Sequence, residues 1–131
     1  MAVIVVAEDE PDLLTVTERL LRRAGHTVTA VTDGAAAWEA VQRDRPDIVV
    51  SDINMPQLSG LELCRRIRDN PDTRLLPVIL YSGALVPGDP GPGEVRATAV
   101  LNKPFLAREL IDCVDKVLDA GHIDGQVPTA F

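Results

Sequence analysis

The chain has 131 residues, of which 46% are apolar, and a formal net charge of −7 at pH 7. This length and composition suit one domain with a single hydrophobic core. The negative charge argues against a nucleic-acid partner, because phosphate binding requires clustered lysines and arginines, and the apolar stretches are too short to span a membrane.

Short apolar runs rich in β-branched residues alternate with segments of helical periodicity along the chain. The helical segments follow Pro11, Asp33 and Ser59 or Gly60, and the last one runs from about Ala107 to Ala120. Five strands are predicted, at Val3–Ala7, Thr27–Val31, Ile48–Val50, Pro77–Tyr81 and Ala99–Leu101. This alternation predicts an α/β fold, a doubly wound parallel sheet with helices on both faces.

The second strand, Thr27–Val31, is the least apolar of the five, so we expect it at an edge of the sheet. That position favours the flavodoxin-like strand order 2-1-3-4-5. After the fourth strand, prolines and glycines interrupt the region between positions 87 and 93, which is incompatible with a regular helix. We therefore expect helix four to be shortened or missing, residues 1–121 to form the domain, and residues 122–131 to form a loose C-terminal tail.

Polar side chains follow four of the predicted strands where each strand ends. They are Glu8 and Asp9 after the first strand, Asp52 after the third, Ser82 after the fourth and Lys103 after the fifth. In the predicted order these strands are neighbours, and ligands bind outside the carboxyl ends of parallel strands. Each residue alone has an ordinary explanation, such as a turn, a helix N-terminus or a surface lysine. Their coincidence at one sheet edge favours a common site.

Three carboxylates brought together repel one another unless a hard cation lies among them. A few carboxylates with room for water suit Mg²⁺ better than Ca²⁺, and Asn54 could add a backbone or side-chain oxygen. With Lys103 and the Ser82 hydroxyl, this arrangement suits a phosphoryl group attached to Asp52.

These motifs resemble the receiver domain of two-component response regulators, or CheY-like family. The resemblance covers Ile4 to about Leu118. It rests on the acidic pair at positions 8 and 9, on Asp52 with Met55-Pro56 and Gly60, on the Ser-Gly-Ala at positions 82–84, and on the Lys-Pro-Phe at positions 103–105.

The resemblance implies a phosphoacceptor switch rather than an enzyme acting on other substrates. Asp52 would accept a phosphoryl group from a sensor histidine kinase or a phosphotransfer protein. Asp9, Asp52 and the Asn54 backbone carbonyl would bind Mg²⁺, with Glu8 acting through water. Lys103 and Ser82 would contact the phosphoryl group, and the resulting movement would change the binding of a downstream protein effector.

Two departures from the family pattern are visible. Val100 stands where receiver domains usually place an aromatic residue that rotates on activation, and the Pro/Gly segment replaces much of helix four. In this family the face formed by helix four, strand five and helix five is the commonest surface for output and for dimerisation. The resemblance therefore also allows a homodimer. We expect output through another face, or a Pro/Gly segment that orders on phosphorylation or partner binding.

Two alternatives remain. A receiver-fold interaction module that acts independently of phosphorylation would explain both departures. A flavodoxin-like or hydrolase enzyme is less favoured, because no Gly-rich phosphate loop follows the first strand. Two distant cysteines, Cys64 and Cys113, predict buried thiols in a reducing compartment, and with no signal peptide this favours the cytoplasm. Both a stand-alone receiver and a fragment of a larger regulator or hybrid kinase fit the sequence.

Overall fold

The computed structural model describes residues 2–82, 96–102 and 105–121, and within them it contains five parallel strands and four helices. The strands form one sheet in the order β2-β1-β3-β4-β5, which confirms the predicted topology. The strands are β1 Val3–Ala7, β2 Thr27–Val31, β3 Ile48–Asp52, β4 Val78–Ser82 and β5 Ala99–Asn102. The helices are α1 Pro11–Arg23, α2 Gly34–Asp44, α3 Gly60–Asp69 and α4 Ala107–Gly121.

Polar side chains cap the N-termini of the first three helices. Asp33 accepts the Ala36 backbone N–H at 2.7 Å, and Ser59 accepts the Glu62 backbone N–H at 3.1 Å. Glu10 caps α1 by accepting the backbone N–H groups of residues 12 and 13. Each cap satisfies donors that the first turn leaves free, so each helix begins at a residue that the sequence defines.

The sheet separates two hydrophobic clusters. Alternate β1 residues point to opposite faces, so Ile4 and Val6 join one cluster while Val5 and Ala7 join the other. Side chains of α1 and α4 complete the first cluster, and side chains of α2 and α3 complete the second. The central strand β3 is buried throughout, whereas β2 has exposed and half-buried positions, as expected for an edge strand.

Several predicted features lie outside the described residues. They are the shortened or missing helix four with the Pro/Gly segment at positions 87–93, the residue Lys103, and the tail at 122–131. Among the helices that are described, none combines the length and the apolar composition needed to cross a membrane.

Cys64 and Cys113 are both buried free thiols, as predicted. Burial raises the pKa of each thiol above its ordinary value, so the folded protein keeps both thiol protons to a higher pH than the unfolded chain. The contribution of the two protonated thiols to the free energy of unfolding is therefore present below the unfolded thiol pKa of about 8.5 and decreases as the pH rises above it.

Because the thiolate is the reactive form, we expect both cysteines to react with a thiol reagent at neutral pH at least about tenfold more slowly in the folded protein than in denaturant. Peptide mapping after timed labelling would measure each cysteine separately. Labelling of Cys64 in native protein at the denatured rate would contradict its burial.

Candidate functional site

The ends of two adjacent strands, β1 and β3, bring the predicted acidic residues to one edge of the sheet. In the β1–β3 register Ala7 lies opposite Ser51, and in the β3–β4 register Asp52 lies opposite Tyr81. The residues that follow β1 and those that end β3 therefore meet at the carboxyl edge, where parallel sheets bind ligands.

Glu8, Asp9 and Asp52 form a compact carboxylate cluster. One oxygen from each side chain lies within 4.8 Å of the others. Glu8 is fully buried and Asp52 is 4% exposed, while Asp9 is exposed. Two carboxylates 4.8 Å apart repel each other by about 3.5 kcal/mol at an effective dielectric constant of 20. Three hard oxygen donors so placed, with one on the solvent side, fit a divalent cation such as Mg²⁺.

Hydrogen bonds hold both oxygens of the buried Glu8 carboxylate. The Tyr81 hydroxyl donates to Oε1 at 3.0 Å, and the Glu10 backbone N–H donates to Oε2 at 3.0 Å. Burial, and then the negative charge of Glu8, raise the pKa of Tyr81 above its usual range. Tyr81 therefore keeps its proton and acts as a hydrogen-bond donor toward Glu8.

The loop after β3 fixes the Asp52 carboxylate. The Asn54 backbone N–H donates to Asp52 Oδ1 at 3.2 Å. The Gly60 N–H donates to the Ile53 carbonyl at 2.8 Å, and the Ile53 N–H donates to the Tyr81 carbonyl at 3.0 Å. These bonds join β3, β4 and the start of α3 beside the acidic cluster, and the Asn54 N–H holds one oxygen of the Asp52 carboxylate.

Ser82 lies beside this loop, as its position in the sequence predicts. The Asn54 side-chain amide donates from Nδ2 to Ser82 Oγ at 3.3 Å, and Ser82 is 2% exposed. Ser82 also lies opposite Asn102, the last residue of β5, in the β4–β5 register. Asn54 thus contacts both Asp52 and Ser82. The predicted role of its backbone carbonyl in binding a cation stays a prediction, as does the role of Lys103, which follows Asn102 and lies outside the described residues.

Two residues near the cluster have roles that the sequence did not reveal. The Tyr81 ring is buried in the core, and its hydroxyl donates a hydrogen bond to Glu8. Glu10 belongs to the same acidic run as Glu8, yet it caps α1. The sequence feature that could have predicted the contact between Tyr81 and Glu8 is the position of the tyrosine, because a residue one position before a strand end lies close to the carboxyl edge.

Val100, which stands where the resemblance expects an aromatic residue, lies on β5 opposite Leu80 and is 41% exposed. This short, exposed side chain has no ring to exchange between an inward and an outward position. The rotation of an aromatic ring that the resemblance implies is therefore not available at this position.

Comparisons with known proteins agree with this geometry. Residues 4–115 match the family described as the response regulator receiver domain. The chain is 34% identical over 119 residues to the response regulator receiver protein CpdR of Brucella abortus, covering 89% of this chain and 97% of that protein. It is 36% identical to the transcriptional regulatory protein CseB of Streptomyces coelicolor, covering 93% of this chain and 52% of that protein, so it spans only about half the length of that relative.

Among solved structures, the receiver domain of a sensor histidine kinase from Pseudomonas aeruginosa superposes with a TM-score of 0.83 at 31% identity. The alignment covers 90% of this chain and 98% of that one, and that structure has a magnesium ion coordinated in its active-site cleft. The matched family spans most of the chain, and the strand order and acidic cluster agree with it. The chain therefore belongs to the family of response regulator receiver domains.

Proposed function

We propose that Asp52 is the phosphoacceptor of a two-component signalling switch, and that a sensor histidine kinase or a phosphotransfer protein supplies the phosphoryl group. The observation that carries this proposal is the carboxylate cluster, in which Asp52 lies within 4.8 Å of Glu8 and Asp9 at the carboxyl edge of the sheet. A nucleophilic carboxylate beside two further carboxylates suits attack on phosphorus when a cation balances the charge.

Asp9 and Asp52 would hold Mg²⁺ together with the Asn54 backbone carbonyl, and Glu8 would act through water. The bound cation would neutralise negative charge on the phosphoryl oxygens during transfer. The fit rests on the donor set, since all three side chains offer the hard oxygen ligands that Mg²⁺ prefers. The magnesium ion in the Pseudomonas aeruginosa receiver structure supports the same assignment.

The transfer itself is a displacement at phosphorus. A carboxylate oxygen of Asp52 forms a bond to phosphorus as the phosphorus–nitrogen bond of the donor phosphohistidine breaks, and the bonding electrons remain on the imidazole nitrogen. Water later attacks phosphorus, which releases inorganic phosphate and restores the carboxylate. The Asn54 N–H bond to Asp52 Oδ1 restricts rotation of the carboxylate and so orients the nucleophile.

Two further residues would act on the phosphoryl group. Ser82, buried beside the Asn54 amide, would donate a hydrogen bond to a phosphoryl oxygen, and Lys103 would contribute a positive charge. Asn54 and Ala84 would flank the approach of the hydrolytic water and so influence the lifetime of the phosphorylated state.

The proposed output is altered binding of a downstream protein effector by the receiver domain, which we assign to residues 1–121. A second proposed output is the formation of a homodimer. Among the described residues both cysteines are free and buried, which supports a reducing compartment such as the cytoplasm.

Incubation with Mg²⁺ and acetyl phosphate, followed by intact-mass measurement, tests the acceptor. We expect one phosphoryl adduct on the wild type and on an Asp69→Asn control, which alters an exposed aspartate on α3, and none on Asp52→Asn. Omission of Mg²⁺ is expected to suppress the adduct. An adduct of equal yield on Asp52→Asn would show that another residue is the acceptor.

The exposed Val100 favours one alternative, an interaction module whose partner binding does not depend on phosphorylation. Fluoroberyllate, which mimics a phosphoryl group on a carboxylate, separates the two functions. Binding of the mimic with Mg²⁺ supports the switch. Absence of both the mimic complex and the acetyl phosphate adduct would favour the phosphorylation-independent module.

A further inference from the structure

Tyr81 places a polar group inside the hydrophobic core at the edge of the acidic cluster. The residue is fully buried, and its hydroxyl contacts Glu8 Oε1 at 3.0 Å and the Ala7 carbonyl oxygen at 3.5 Å. A buried tyrosine hydroxyl normally finds a partner, and a buried carboxylate needs donors to offset its lost hydration. The Tyr81–Glu8 bond meets both requirements with one contact.

This contact spans the centre of the sheet. Tyr81 belongs to β4 and Glu8 follows β1, and the two strands are separated by β3, whose last residue is Asp52. On the same face the Tyr81 ring makes an edge-to-face contact with the ring of Phe105, with 5.4 Å between centroids and 72° between planes. The ring is therefore anchored by packing while its hydroxyl reaches the acidic cluster.

We propose that Tyr81 is a positioning residue for the cation site, whose O–H fixes the orientation of the Glu8 carboxylate beside Asp9 and Asp52. This inference rests on the proposed function, because it assigns Tyr81 to the same Mg²⁺ site. The Glu10 N–H holds Oε2 and the Tyr81 hydroxyl holds Oε1, so a donor on each oxygen limits rotation of the carboxylate. Residues that orient ligands in this way affect metal affinity although they do not touch the metal.

Tyr81→Phe removes the hydroxyl and keeps the ring, so it isolates the hydrogen bond from the packing. We expect Mg²⁺ affinity, measured by calorimetry, to fall about tenfold. The matched control, Phe105→Leu, removes the edge-to-face contact and keeps the hydroxyl, so its Mg²⁺ affinity is expected to remain within about twofold of the wild type. Thermal unfolding without Mg²⁺ would verify that both variants are folded.

A spectroscopic measurement follows the hydroxyl itself. Tyr81 is the single tyrosine in the sequence, so the tyrosine bands in ultraviolet resonance Raman spectra report on this residue alone. We expect a Mg²⁺ titration of the wild type to shift the bands sensitive to hydroxyl hydrogen bonding, with the same midpoint as the calorimetric titration. A residue with only a packing role would show no such shift.

Two results would overturn the proposal while leaving the proposed function intact. One is wild-type Mg²⁺ affinity in folded Tyr81→Phe, and the other is an equal loss of affinity in Tyr81→Phe and Phe105→Leu, which would assign the effect to packing. A wild-type protein that binds no Mg²⁺ would instead refute the cation site, and this inference with it.

Discussion

Replacing Gly60 with alanine is expected to destabilise the domain by about 3 kcal/mol, because the new methyl group would overlap the main chain at the end of β3. A Cβ at position 60 would collide with the Asp52 carbonyl oxygen and lie 2.9 Å from the Ile53 Cα. Neither is a flexible side chain that can turn aside. Relief of the overlap would move the start of α3 away from β3 and strain the Gly60 N–H bond to the Ile53 carbonyl.

Urea unfolding of both proteins would measure the difference. Gly25→Ala is an informative control, since position 25 has open space around it but a φ of +98°. That variant is expected to lose only about 1 kcal/mol, through backbone strain. A loss below 1 kcal/mol for Gly60→Ala would show that the β3–α3 loop adjusts easily, and that close packing does not fix the position of Asp52.

Substituting asparagine for Asp52 is expected to have opposite effects with and without Mg²⁺. Without the cation the variant should be more stable than the wild type by about 1 kcal/mol or more, because repulsion between Asp52 and the buried Glu8 is removed. The asparagine carbonyl oxygen can still accept the Asn54 N–H. With Mg²⁺ at about 100 times its dissociation constant, the wild type gains about 2.7 kcal/mol from binding. The variant should gain much less, so the order of stability reverses.

Thermal unfolding in EDTA and in a series of Mg²⁺ concentrations would test this reversal. Asp69→Asn, which removes an equal charge from an exposed position on α3, should follow the wild type at every concentration. Equal Mg²⁺-dependent stabilisation of Asp52→Asn and the wild type would place the cation site elsewhere.

The sequence was sufficient to predict the architecture and the position of the acidic cluster. Strands buried on both faces require continuous apolar runs, and runs such as Ile48–Val50 are too short for a buried helix and rich in β-branched residues, so they predict strands. The parallel arrangement then brings the residues after β1 and those at the end of β3 to one edge. Asp52, Glu8 and Asp9 were predicted together for this reason, and the structure places them together.

The contacts that orient these carboxylates were not predictable in the same way. The Tyr81–Glu8 bond joins residues 73 positions apart and depends on a side chain that reaches from β4 to the end of β1. Three consecutive residues carry carboxylic acids, namely Glu8, Asp9 and Glu10. The fold buries the first, exposes the second and uses the third as a helix cap. Backbone direction at the end of β1 decides among these outcomes, and residue type does not reveal it.

The sheet also separates the hydrophobic residues on one side of the acidic edge from those on the other side. Among the residues that the structure describes, the two hydrophobic clusters share no side chain, and the rings of Tyr81 and Phe105 belong to the compartment closed by α1 and α4. A displacement of the Glu8 carboxylate would be transmitted by the Tyr81 ring into that compartment. The compartment closed by α2 and α3 is connected to the acidic edge by a different route, through the Gly60 N–H bond to the Ile53 carbonyl, so the two surfaces of the domain would respond to displacements of different carboxylates.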